Sequence, residues 1–155
     1  MPSVSQAIAE LRQENRFFHL FGDAELAALE PLFELTRCRQ GEILISEGNP
    51  AGGPFSIILA GALEVKKQTE FGRFLVLAKV TRGALLGYSS VYQSSRPFPI
   101  TAVALEDTAF LALPQERMAA LLETHPAIGI KILREVIRVQ DVRLQELVAR
   151  FAATL

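Results

Sequence analysis

Three stretches decide the fold: Gly41-Glu42-Ile43-Leu44-Ile45-Ser46-Glu47-Gly48, Phe55-Ser56-Ile57-Ile58-Leu59-Ala60-Gly61-Ala62-Leu63-Glu64-Val65 and Gly83-Ala84-Leu85-Leu86-Gly87. Each is a short run of β-branched and aliphatic residues bounded by glycine, the residue that lets the backbone reverse without a steric penalty. Such runs continue at regular spacing, predicting strands over residues 34–39, 43–46, 55–60, 62–67, 73–80, 100–104 and 109–114. Leu63 and Val65, then Phe74 and Val76, alternate with Glu64 and Lys66, then Leu75 and Leu77, which predicts one well-buried sheet face and one partly covered. The expected fold is α+β, mainly β: an antiparallel β-roll or jelly-roll barrel flanked by N-terminal helices and a long C-terminal helix.

Outside these strands the apolar period becomes helical. Ile8 and Leu11, then Leu26, Leu29, Leu32 and Phe33, recur at steps of three and four and predict two or three short helices, with Asp23 as a cap after the Phe21-Gly22 turn. Met118, Leu121 and Leu122 mark a short amphipathic helix that stops before His125-Pro126, since proline disfavours helix at the preceding residue. A longer helix begins at Pro126, a residue suited to a first helical turn. Within it Ile130, Leu133, Ile137, Gln140, Leu144, Leu147 and Phe151 form a heptad seam with one polar member, while Ile128, Ile132, Val136 and Val139 form a second apolar stripe. One stripe suffices to dock the helix on its own domain, so the seam through Leu133, Ile137, Gln140, Leu144 and Leu147 predicts a homodimer, with Gln140 setting register. The chain divides into helices over 1–36, the roll over 37–114 and C-terminal helices over 115–155, read as a single domain.

The 155 residues carry a formal net charge of −1, with 16 basic and 17 acidic side chains, 50% hydrophobic and 21% charged residues. That composition suits one domain with a sizeable core and excludes intrinsic disorder. It provides no global positive field for nucleic acid or anionic lipid. Cys38 is the one cysteine, between Arg37 and Arg39, so neither an internal disulfide nor a multi-cysteine zinc site is available, and a cytoplasmic location is expected. The two arginines would depress the Cys38 pKa if the thiol were exposed; a buried strand cysteine is the plainer expectation. No apolar run approaches the roughly 20 residues of a spanning helix, and the N-terminus lacks the pattern of a signal peptide. His19 and His125 belong to no metal-ligand or nucleophile–base pattern, so no enzyme activity and no metal are expected.

The order of helices, glycine-punctuated roll and long terminal helix, with the three stretches quoted above, Ala104-Leu105-Glu106-Asp107-Thr108 and His125-Pro126, resembles the cyclic nucleotide-binding domain family over about residues 18–150. In that family ligand chemistry lies in a phosphate-binding cassette, roughly Phe-Gly-Glu-Leu/Met-Ala-Leu, a spacer, then Pro-Arg-x-Ala-Thr/Ser. Gly87 keeps the cassette glycine, but Tyr88 stands where the resemblance places a glutamate that accepts from the ribose 2′-hydroxyl. After Ser89-Ser90-Val91 and the spacer Tyr92-Gln93-Ser94-Ser95 comes Arg96-Pro97-Phe98-Pro99-Ile100-Thr101, with proline and arginine in reversed order and one residue added. The family's arginine grips the cyclic phosphate through charge-assisted bonds contributing about 1.5–3 kcal/mol each. Loss of that contact and the acidic one, without replacement, would weaken binding by roughly two to four decades.

The resemblance therefore implies a regulatory sensor module binding a cyclic nucleotide, with cAMP or cGMP as candidate ligand and no resident cofactor. Its ligand set would be Leu86, Gly87, Tyr88, Ser89, Ser90, Arg96 and Thr101, with Arg96 reaching the phosphate and the N–H groups of Ser89 to Val91 forming an anion nest. Arg134, Arg138 and Gln140 are the polar side chains of the early terminal helix that the resemblance makes candidates to face the base, which of them depending on register; solvent or an interhelical salt bridge is the expected role of the two arginines. The alternative is a ligand-independent dimeric scaffold whose pocket is empty or closed by Tyr88 and Phe98. A different anionic ligand is a third reading, since Tyr88, Ser89 and Ser90 offer donors without a ribose acceptor. The family's DNA-binding members add a helix-turn-helix after the long helix; this sequence ends at Leu155, so direct nucleic-acid binding is not expected and output would pass to a separate protein.

Overall fold

The computed structural model describes residues 2–14, 16–50, 52–92 and 96–155. Three helices lead, α1 (Val4–Glu14), α2 (Arg16–His19) and α3 (Asp23–Leu29), followed by a 3₁₀ turn at Glu30–Leu32. The roll comprises β1 (Glu34–Cys38), β2 (Ile43–Ile45), β3 (Phe55–Ala60), β4 (Leu63–Gln68), β5 (Phe74–Val80), β6 (Leu85–Leu86), the short helix α4 (Ser89–Tyr92), β7 (Thr101–Ala104) and β8 (Thr108–Leu113). Helices α5 (Gln115–Thr124) and α6 (Pro126–Ala153) end the chain. The strands form two four-stranded antiparallel sheets, ordered β1-β8-β3-β6 and β2-β7-β4-β5.

Strand β3 shows how the layers arise. Because side chains alternate along a strand, Phe55, Ile57 and Leu59 face outward into the core shared with the helices, while Ile58 faces the interior of the roll with Leu63, Val80, Leu86 and Phe110. Strand β8 repeats this: Leu111 and Leu113 join the helical core and Phe110 the roll interior. The helical core is aromatic at its centre, where Phe17 meets Phe18 and Phe21 edge-on at centroid distances of 5.1 and 5.3 Å.

Several sequence expectations change. The face alternation predicted from Leu63 to Leu77 is replaced by a gradient: Leu63 and Val80 are buried at the root of the β4–β5 hairpin, whereas Phe74, Leu75 and Val76 are all exposed. The physical reason is that β5 is an edge strand and the hairpin tip extends past the layer that covers its root. Strand β6 and helix α4 fell in stretches too short to show a period. Asp23 does not cap α3; Gly22 occupies the cap and Glu25 reaches back to its N–H at 3.0 Å, leaving Asp23 to pair with Arg12 at 3.1 Å. The predicted break at His125 is present, with Pro126 opening the 28-residue α6. On α6, Ile128, Ile132 and Val136 are buried against the helical core, as their stripe predicts, while Ile137, Leu144 and Phe151 are 66, 60 and 67% exposed. Among the described residues, no helix is long and apolar enough to cross a membrane.

Candidate functional site

Gly87 brings the backbone against β3 so closely that a Cβ there would lie 2.1 Å from the Pro54 carbonyl oxygen, and its φ of +74° is one that side-chain-bearing residues rarely adopt. This contact sets the turn leading from β6 into α4. The turn is then closed by its own bonds: Ser90 N and Oγ both donate to Gly87 O, at 3.2 and 2.9 Å, and Val91 N donates to Tyr88 O at 2.9 Å. The expected anion nest is therefore reduced, since two of its N–H groups are already engaged. On the opposite rim Gly48 N donates to Phe98 O and Phe98 N to Asn49 O, both at 2.9 Å, which fixes residues 96–100 beside the turn after β2.

Between these rims lies a cavity of about 550 Å³, within the usual size of small-molecule sites. Leu86, Gly87, Tyr88, Ser89 and Arg96 border it. Ser90 and Thr101 do not: Ser90 is fully buried with its hydroxyl turned to Gly87 O, and Thr101 Oγ1 accepts from Glu47 N at 3.2 Å. Gln93, Ser94 and Ser95 of the expected spacer lie outside the described residues. Tyr88 and Phe98, expected to close the pocket in the scaffold alternative, line its wall and leave it open.

The far wall is α6. Gln140, Arg143, Glu146, Leu147 and Arg150 all face the cavity. The helix is held over the roll by Arg150, whose guanidinium donates to Leu77 O at 2.7 Å and Val76 O at 3.2 Å, and by Lys131, which pairs with Glu25 of α3 at 2.6 Å. The Arg143 guanidinium stands 5.4 Å from the centroid of the Tyr88 ring. Burial pushes the Tyr88 phenol above its ordinary pKa, and the nearby Arg143, through its charge and its side-chain interaction with the phenol, opposes this. Arg143 also borders a second cavity of about 400 Å³ walled by Glu14, Arg82, Glu135 and Arg138. Arg138 pairs with the buried Glu135 three residues before it, and Arg134 is exposed, so neither arginine borders the main cavity.

Among the described residues, Tyr88 Oη and Ser89 Oγ are buried side-chain oxygens without a hydrogen-bond partner. Both belong to residues that border the cavity, but the oxygens themselves have almost no surface accessible from it. Sequence reasoning missed Arg143, Glu146 and Arg150. A signal was present: Gln140, Arg143, Leu147 and Arg150 step by three, four and three, one helical face beside the apolar seam. Away from the cavity, Cys38 is buried, and burial followed by Glu42 and Asp107 raises its thiol pKa, which is the plainer of its two expectations.

A two-sheet roll whose glycine turn faces a terminal helix across a cavity is the fold of a known class of regulatory domains. The chain belongs to the cyclic nucleotide-binding domain family, whose model matches residues 35–125. It is similar to the transcriptional activator protein anr of Pseudomonas aeruginosa, 29% identical over 96 residues that make up 62% of this chain and 38% of that protein. Its fold matches a cyclic nucleotide-binding domain from Methylobacillus flagellatus at a TM-score of 0.82, with 25% identity over 96% of this chain and 83% of the other. The catabolite activator protein of Thermus thermophilus matches at 0.67, with 25% identity over 84% of this chain and 62% of that one.

Proposed function

We propose that the chain is a regulatory sensor module that takes a cyclic nucleotide or related anionic small molecule into the 550 Å³ cavity and signals through α6. One observation carries this reading: the cavity is roofed by the output helix itself, with Arg143 of α6 resting on Tyr88 of the cassette turn. An occupant in contact with Tyr88 competes with Arg143 for that ring and so alters how α6 sits on the roll. The wall holds three guanidinium groups, Arg96, Arg143 and Arg150, against one carboxylate, Glu146, which favours an anion. The relatives' names, a transcriptional activator and a catabolite activator protein, fit regulation rather than catalysis. Neither His19 nor His125 borders the cavity.

The functional unit in this reading is a homodimer formed by the outer face of α6. Ile130, Ile137, Leu144 and Phe151 recur every seven residues and are all exposed. Gln140 and Leu147 belong both to the seam and to the cavity wall, so ligand occupancy and helix pairing act on the same two side chains. Output then passes to a separate protein or to further chain.

The deciding experiment is calorimetric titration with cAMP, cGMP and cyclic dinucleotides up to millimolar concentration. Saturable binding, weakened about ten-fold or more by Arg96→Ala, is the expected result. Silence toward every anionic probe would overturn the sensor reading, and an unchanged affinity in Arg96→Ala would remove that residue as the anchor.

A further inference from the structure

On the premise that the main cavity is the ligand site, its polar side chains sort into three kinds, and one kind constrains the ligand beyond its charge. Arg96, Arg143 and Arg150 can only donate hydrogen bonds, whereas the Tyr92 phenol and the Gln140 amide both donate and accept. Glu146, as a carboxylate, can only accept, and it is the one carboxylate among the described residues that border the cavity. On a wall that favours an anion, such a group opposes binding by like charge unless the ligand turns a hydrogen-bond donor toward it.

Glu146 is also left unpaired where a helix ordinarily pairs it. A glutamate four residues before an arginine is the favoured arrangement for an ion pair along a helix. Arg150 stands four residues on and Arg143 three residues before, yet neither takes it. Arg150 donates to Val76 O and Leu77 O of β5, and Arg143 lies over the Tyr88 ring and interacts with its phenol. Among the described residues Glu146 has no hydrogen bond or ion pair, and it is exposed, so its acceptor positions are open to whatever enters the cavity. At 3.6 residues per turn it lies on the far side of α6 from the exposed stripe through Ile137, Leu144 and Phe151, so helix pairing would not cover it.

We infer that Glu146 is a specificity-determining residue, accepting a hydrogen bond from a hydroxyl or amino group of an anionic ligand whose charge is held by the arginines. A ribonucleotide carries both kinds of donor, one on its sugar and one on its base. Glu146 belongs to α6, and Arg96 to the 96–100 segment beside the turn after β2, so a ligand that engages both spans from the roll to the output helix. The carboxylate that would repel a bare anion thus selects an anion that carries a donor.

The test is a calorimetric titration of the full chain, parent and Glu146→Ala, with cAMP and cGMP and, for the tighter of the two, with its 2′-deoxy analogue and its analogue without the exocyclic amino group. The variant alters an exposed side chain, so its circular dichroism spectrum and melting midpoint should match those of the parent. Removing the donor that Glu146 reads should weaken binding to the parent about ten-fold, as expected of a hydrogen bond to a charged acceptor, and binding to Glu146→Ala by less than about two-fold. Which analogue shows the effect tells sugar from base. Equal penalties in parent and variant for both analogues, or tighter binding of the unmodified nucleotide to Glu146→Ala, would overturn this inference and leave the sensor reading standing. Silence of both mononucleotides would overturn it too, while the cyclic dinucleotides still decide the sensor reading.

Discussion

Gly87 carries more of the structure than any side chain around the cavity. Its positive φ and the 2.1 Å approach of the Pro54 carbonyl oxygen to its missing Cβ mean that Gly87→Ala must move either β3 or the cassette turn. Left-handed geometry costs a residue with a Cβ about 1–2 kcal/mol, and overpacking typically adds about 1–3 kcal/mol. The expected outcome is a loss of at least about 2 kcal/mol, read as a lower urea midpoint at unchanged slope. Parent-like stability would show that the turn relaxes freely. Tyr88 lies next along the chain and illustrates a different constraint: burial raises its phenol pKa while Arg143 across the cavity pulls it the other way.

At the level of elements, α6 has three faces, of which the second and third share an edge at Gln140 and Leu147. One, with Ile128, Ile132 and Val136, is fixed in the helical core; a second, with Gln140, Arg143, Leu147 and Arg150, roofs the cavity; the third is apolar and exposed. This exposed stripe of large aliphatic and aromatic side chains is the surface that the proposed dimer would cover. Replacing Leu144 and Phe151 together by glutamate should leave the fold intact, because both side chains are already exposed, and should yield a monomer by sedimentation velocity at concentrations where the parent is a dimer. A parent that sediments as a monomer, or a variant that stays dimeric, would overturn the pairing. The β4–β5 hairpin shows the converse: its root is locked by Leu63 and Val80 while its tip carries exposed Phe71 and Phe74, the latter covered on one side by the Lys66 ammonium at 4.4 Å.

Across the whole molecule, three carboxylates tie distant segments and share one electrostatic signature. Glu14 pairs with Arg82, Glu25 with Lys131 and Glu47 with Lys67, and each partner's hydrogen bond holds the carboxyl below the ordinary value of 4.5. A folded pKa below the unfolded one adds stability that is fully present above the unfolded value and is lost as pH falls through the folded value. The melting temperature should therefore be level from neutrality down to about pH 5 and decline below the ordinary carboxylate range. All three groups are solvent-accessible, so the decline attributable to them should shrink at high salt. Glu25→Gln should flatten the acid limb; an unchanged limb in that variant would show that the α3–α6 tie adds nothing to acid sensitivity.

What the sequence by itself determined is whatever short-range periodicity encodes. The glycine-bounded runs at 43–46 and 55–60, the helical steps through Leu26 and Leu29 and the opening of the last helix at Pro126 all stand in the structure, because strand and helix periods depend on neighbours within one or two turns. Tyr88 and the Arg96-Pro97 order were also plain, since they are departures in residue type at known places. Only the tertiary structure decided that Gln140, Arg143, Glu146 and Arg150 look into the cavity, that Ser90 and Thr101 turn away, and that β5 is bare at its tip. Those facts depend on how α6 is rotated over the roll and where each sheet ends. That is settled by packing between segments such as Lys131 and Glu25, or Arg150 and Leu77, which lie far apart along the chain and leave no trace in any local pattern.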